Sequence, residues 1–247
     1  MLESLISFAL ALTRISAFLL VLPVFGWTAI PVQFKVAFAV LLSVFFAIIA
    51  PSAIDPANVS ALTAVVLLAG EATYGLALGL IIALLFSVVK LSAHIVERQM
   101  GLNMAHVLDP LTNEEGKPLG SLVEMIFVLL FFSANGHHLF LLVLAKSYEA
   151  FPLGVVPSID TLTHGVIGAG SAMLVASLRL AAPALAAFLV LMVALALLAR
   201  LVPEMNILFI SMPMRLGMGL MMTAVFLPFV AGFIKEMADW MAKLLPL

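Results

Sequence analysis

Six long apolar tracts, separated by short turn-rich breaks, leave this chain few ways to fold. On a window of about 19 residues they run approximately over Ser4–Leu22, Val32–Ala50, Ala61–Val89, Leu119–Ala145, Gly165–Ala199 and Ile207–Ile234. Between them stand Pro23 with Pro31, Pro51 to Pro56, a polar island from Arg98 to Ser121, Pro152 to His164, and Pro203 to Asn206. Such sequences interrupt regular structure. No stretch alternates polar and apolar residues long enough to serve as a barrel strand. Hydrocarbon cannot solvate backbone amides, so tracts of this kind satisfy their own hydrogen bonds as helices. The expected fold is all-α, with about six long hydrophobic helices arranged in hairpins.

Composition decides where such helices live. Hydrophobic residues make up 65% of 247 and charged residues 10%, with a mean hydropathy of +1.28. An average soluble domain carries about 45–50% and about 25%. The excess cannot be hidden in one water-soluble core, so an integral membrane protein or a subunit of an equally apolar assembly is expected, with the lipid bilayer as a partner. The net charge of −2 offers no basic stripe for nucleic acid. The absence of cysteine excludes disulfides and thiolate metal sites. Glu3 stands where a signal peptide would be basic and Arg14 interrupts the apolar run, so the first tract reads as a retained helix.

The polar exceptions carry the rest of the information. Arg14, Glu71, Glu124, Arg179 and Arg215 fall inside apolar tracts rather than at their ends. An ionised group near a bilayer centre costs about 2.5–3.5 kcal/mol, so these charges must pair, line water or lie away from lipid. Snorkelling to an interface suits Glu124 and Arg215; burial against protein, with neutralisation by other chains, is the broader expectation. Which ions pair is not assigned by the sequence. Glu71, Gly75 and Gly79 repeat at i, i+4 and i+8 beside Gly70 and Tyr74, giving one small-residue face that fits close helix packing within or between subunits. The tract from Gly165 would measure about 50 Å as one helix, against a hydrocarbon core of about 30 Å. Either Pro183 bends it or much of it leaves the bilayer.

Catalytic signatures are missing. His94-Ile95-Val96-Glu97 lacks the second histidine and adjacent glutamate of a zinc-protease helix, and neither a nucleophile elbow nor a phosphate-binding loop occurs. His137 and His138 are neighbours whose side chains should diverge by about 100° on a helix, which favours a helix-end hydrogen-bonding role over shared metal ligation. No catalytic residue, cofactor or metal is expected. Met212, Met214, Met218, Met221 and Met222 cluster near the last tract, where pliable thioethers suit either plain filling or an adaptable interface.

A family resemblance runs through the chain. It is carried by Arg14, Pro23-Val24-Phe25, Pro31 with Lys35, Glu71 with Gly75 and Gly79, Met100-Gly101, Asp109-Pro110, Gly136-His137-His138, and Ser147 through Phe151-Pro152. It continues through Leu180-Ala181-Ala182-Pro183, Ala199-Arg200-Leu201-Val202-Pro203-Glu204-Met205-Asn206, Phe209 to Pro213, Gly217 and Gly219. In this the chain resembles the FliR family of flagellar biosynthetic proteins, the type III secretion export-gate family whose injectisome members are SctT-like. The resemblance implies a non-enzymatic subunit of a helical export gate in the bacterial inner membrane, with part of the gate standing on the periplasmic side. It implies FliP-type and FliQ-type subunits as partners, FlhB- and FlhA-type proteins as neighbours, and unfolded flagellar subunits as cargo. Residues 1–160 would be FliP-like hairpins and 161–247 a FliQ-like hairpin. A loop over 106–121 would plug the pore, its exposed part being Asp109, Pro110, Thr112, Asn113, Glu114, Glu115, Gly116 and Lys117. Pro and Gly in a polar loop suit a hydrated lumen; a plain cytoplasmic connector is the alternative. Two other classes remain open at this point: a small-solute secondary transporter, compatible with six spans and buried charges, and an intramembrane enzyme, disfavoured by the missing motifs.

Overall fold

A computed structural model describes residues 2–23, 31–50, 60–101, 118–155, 157–204 and 206–244. Seven helices are described: α1 (Leu2–Val21), α2 (Val32–Ile49), α3 (Ala61–Met100), α4 (Pro118–Ser133), α5 (His137–Ala150), α6 (Ile159–Leu201) and α7 (Ile207–Leu244). No β-strand forms among the described residues. Four helices, α1, α2, α3 and α6, are long and apolar enough to cross a membrane, or five spans if α4 and α5 count together. The protein is therefore all-α and built for a membrane, as its hydropathy requires.

The boundaries follow from local chemistry. Ser60 and Ser158 cap the two longest helices in the same way, each hydroxyl accepting the backbone N–H of Thr63 or Thr161 and meeting that threonine's hydroxyl. Ala50 and Phe151, at the ends of α2 and α5, are extended; each precedes a proline, whose ring disfavours helical backbone in the residue before it. Gly101 ends α3 with φ +79, a left-handed turn that glycine makes without steric cost. The tract expected as one helix over Leu119–Ala145 is instead two, bent by 70°. Asn135 makes that break with φ 58, a conformation asparagine tolerates better than most residues.

Elsewhere the helices outrun their apolar tracts, because hydropathy registers greasiness and not helicity. α3 continues past Val89 through Lys90, His94, Glu97 and Arg98, and α7 continues past Ile234. α6 remains one helix of 43 residues through Pro183, so that residue does not divide it. At 1.5 Å per residue, α6 is about 65 Å long and the 40-residue α3 about 60 Å. Both exceed a hydrocarbon core of about 30 Å twofold.

The chain divides into two compact units. The first contains residues Met1–Phe86, Asn135–Ala172 and Glu236–Leu247. Its core uses one stripe of α1 (Ala11, Ile15, Phe18), continued by Leu22 just past its end, and one of α3 (Tyr74, Leu78, Ile81, Leu85), all fully buried, at the spacing of a single helix face. α2 packs on α1 and closes over α5, with Phe46 and Tyr148 rings 5.0 Å apart. The second unit contains Ser87–Ala134 and Met173–Lys235. Its core joins Val96 and Met100 of α3, Leu119 of α4, and Ala184, Phe188, Leu191 and Leu195 of α6. Met218 and Met222 pack against this cluster, whereas Met212, Met214 and Met221 are exposed, so the methionines divide between filling and surface.

Candidate functional site: a buried ion-pair node

Three helices bring one cation and one anion together inside the first unit. Arg14 and Glu71 have no accessible side-chain surface, and Arg14 Nε donates to Glu71 Oε2. Arg14 Nη1 donates to the carbonyls of Ser147 at 3.2 Å and Phe151 at 3.0 Å. Those carbonyls terminate α5, where the helix dipole is negative and a cation is stabilised. Glu71 Oε1 accepts the Gly154 N–H at 2.9 Å. Gly154 has φ +87, so the turn that aims this N–H at the carboxylate favours glycine. The guanidinium carbon lies 4.7 Å from the Tyr74 ring centroid and 4.4 Å from that of Tyr148, within cation–π range. One ion pair thus ties α1, α3, the end of α5 and the following turn together.

The glycines set the spacing. A methyl group on Gly75 would run into the backbone carbonyl oxygen of Arg14 and lie 3.1 Å from Ala17 Cβ. One on Gly79 would lie 2.8 Å from the carbonyl oxygen of Phe18. The small-residue face that begins at Glu71 is therefore the surface on which α1 lies, within this chain. The carboxylate and guanidinium meet because these two glycines let the backbones approach.

This geometry corrects one expectation. Arg14 and Glu71 are neutralised by each other and not by other chains. The remaining charges are placed differently. Glu124 pairs with Lys90 at 2.9 Å in a partly exposed contact, a class worth about 0–1 kcal/mol. Arg179 is exposed within this chain. Arg215 is half-buried, and its Nε finds no hydrogen-bond partner among the described residues. His137 and His138 do not diverge; their rings lie 4.3 Å apart at the start of α5. The loop residues Asp109, Pro110, Thr112, Asn113, Glu114, Glu115, Gly116 and Lys117 lie outside the described residues.

The helix ends flanking that loop are described, in the second unit. Glu97, 1% exposed, accepts the Leu119 N–H at 3.3 Å and meets His94 Nδ1 at 3.2 Å. It thereby satisfies one of the orphan donors at the start of α4 with a carboxylate, the charge that a helix N-terminus favours. Glu97→Ala should cost about 1–2 kcal/mol and lower the thermal midpoint in detergent. Glu97→Gln, which keeps an acceptor, should cost less; equal losses for both would remove the capping account. His94 and Glu97 entered the sequence reading only as a failed zinc motif, and Tyr148 not as a site residue. The signals available were the i, i+3 spacing of His94 and Glu97 and the run from Ser147 to Phe151-Pro152.

Long apolar helices gathered about a buried ion pair define a polytopic helical membrane protein. Residues 5–241 match the family described as bacterial export proteins, family 1, and the chain belongs to it. It is 30% identical over 237 residues to the flagellar biosynthetic protein FliR of Escherichia coli (strain K12), covering 95% of this chain and 89% of that one. Its identity to the FliR protein of Bacillus subtilis (strain 168) is 29% over 224 residues, covering 89% and 85%. The Yop proteins translocation protein T of Yersinia pestis is 28% identical over 160 residues, 64% of this chain and 61% of the relative.

Proposed function

We propose that this chain is a non-enzymatic structural subunit of the flagellar type III export gate in the bacterial inner membrane. It assembles with FliP-type and FliQ-type subunits, beside FlhB- and FlhA-type proteins, and forms part of the path taken by unfolded flagellar subunits. In this reading residues 1–160 play the FliP-like part and 161–247 the FliQ-like part. The halves refer to likeness with other subunits, not to compactness. The observation that carries the proposal is the export-family match over residues 5–241. The helix lengths support it: α3 and α6 outreach a bilayer, which fits an assembly that stands partly clear of lipid. Co-expression with FliP- and FliQ-type subunits followed by native mass spectrometry tests it. One stable hetero-oligomer is expected; a chain recovered alone that exchanges a small solute would favour the transporter instead.

The segment from Asp109 to Lys117 acts as the pore plug. Support comes from its polarity between apolar tracts and from the capped start of α4 that follows it. Deleting Thr112–Lys117 should make the assembled gate leak ions, read as conductance across a planar bilayer. Unchanged conductance in an intact complex would withdraw the plug and leave the subunit role standing.

A further inference from the structure

Arg179 is a charge that the described residues leave unmet. It lies well inside α6, about 30 Å along the helix from Ile159 and about 33 Å from Leu201. It is exposed and has no hydrogen-bond or ion-pair partner among the described residues. Its neighbours on the same helix face are Val175, Ala182 and Ala186, all exposed. Val175 is 65% exposed, and Leu189 and Val190 farther along are 64% and 68%. Only 28% of the most apolar stretch of α6 is buried. Between Gly165 and Ile234 the sequence holds Arg179, Arg200 and Arg215 but only Glu204 as an acid, in the turn after α6. The last hairpin is therefore cationic within its apolar tracts and carries no carboxylate there.

From this we infer that Arg179 is an intersubunit charge contact, pairing with a carboxylate on an apolar helix of a second membrane subunit. The inference rests on the gate reading and adds the chemistry of one of its interfaces. Charge complementarity selects the occupant. A purely apolar helix, or acyl chains, would leave the guanidinium desolvated and unpaired. A carboxylate at the same depth answers it with the bidentate geometry that arginine favours. Ala182 and Ala186, one and two turns along, admit the close approach of a partner backbone. A lipid phosphate is the competing anion, and the test separates the two.

The chain is co-expressed with the other membrane subunits of the export apparatus, and the fraction recovered in complex is measured for wild type, Arg179→Leu, Arg179→Lys and Arg179→Glu. Arg179 has no hydrogen-bond or ion-pair partner among the described residues, so all four should accumulate equally in the membrane. Arg179→Leu and Arg179→Glu should each lower recovery in complex by about tenfold, and Arg179→Lys should retain most of it. Suppressors of Arg179→Glu should replace an Asp or Glu by Lys or Arg in an apolar helix of another subunit. Arg179→Leu recovered at the wild-type level overturns the pairing, and assigns the guanidinium to lipid phosphate if only Arg179→Glu is impaired. Should Arg179→Leu fail to accumulate, loss of complex by Arg179→Lys overturns the pairing equally. Wild type recovered alone removes the assembly reading itself, and this inference with it.

Discussion

Replacing Arg14 by Leu lowers the stability of the first unit by about 3–5 kcal/mol, because it leaves the Glu71 carboxylate buried without its counter-ion. Glu71→Leu does the same to the guanidinium, and also strips the Gly154 N–H of its acceptor. The double variant Arg14→Leu/Glu71→Leu removes both charges and recovers part of the loss, since apolar replacement of a whole buried pair is often near neutral. Recovery stays incomplete here. Arg14 also serves the carbonyls of Ser147 and Phe151, and no leucine can donate to them. Thermal unfolding of the four proteins in one detergent gives the coupling as a double-mutant cycle. Strictly additive losses would show that the two residues act independently, contrary to the contact described.

The second large effect is steric. Gly75→Ala places a methyl group against the carbonyl oxygen of Arg14, where the obstacle is backbone and cannot rotate aside. α1 and α3 must separate, which costs about 1–3 kcal/mol in overpacking alone. The displaced residue is the one that carries the guanidinium, so the same shift loosens the ion pair. Gly219→Ala provides the comparison: the nearest atoms its methyl group meets belong to the side chain of Met100, which is unbranched and can adjust. Gly217→Ala meets nothing within 4 Å. The expected order of thermal midpoints is Gly75→Ala lowest, then Gly219→Ala, then Gly217→Ala near wild type. A Gly75→Ala protein as stable as Gly217→Ala would show that α1 and α3 are not held this closely.

The helical class and the position of the polar island were legible because membrane-like composition and helix-length tracts admit few alternatives. The boundaries were less so. Lys90, His94 and Glu97 lie past the apolar tract that stops at Val89, and Arg98 opens the island, yet all four extend α3, since polarity does not end a helix and Gly101 does. The break at Asn135 falls in a short polar run, Asn135-Gly136-His137-His138, that a hydropathy window averages into the apolar tract around it. Arg14 and Glu71 were recognised as charges needing an answer, but their partnership joins residues far apart in the chain, which helical spacing cannot report. The Glu71–Gly75–Gly79 face was visible as close packing; that α1 occupies it required coordinates. Arg179 shows the limit in the other direction. An arginine in an apolar tract looks the same in sequence whether its chain buries it or leaves it outside.

The two overlong helices carry one more consequence. Natural bilayers differ in thickness by only a few ångströms, far less than the margin by which α3 and α6 overshoot them. Changing acyl-chain length therefore gives the membrane little leverage over the vertical register of this subunit. In the proposed gate its depth is set by proteinaceous neighbours, and reconstitution into thin or thick lipids should leave its alignment with them unchanged.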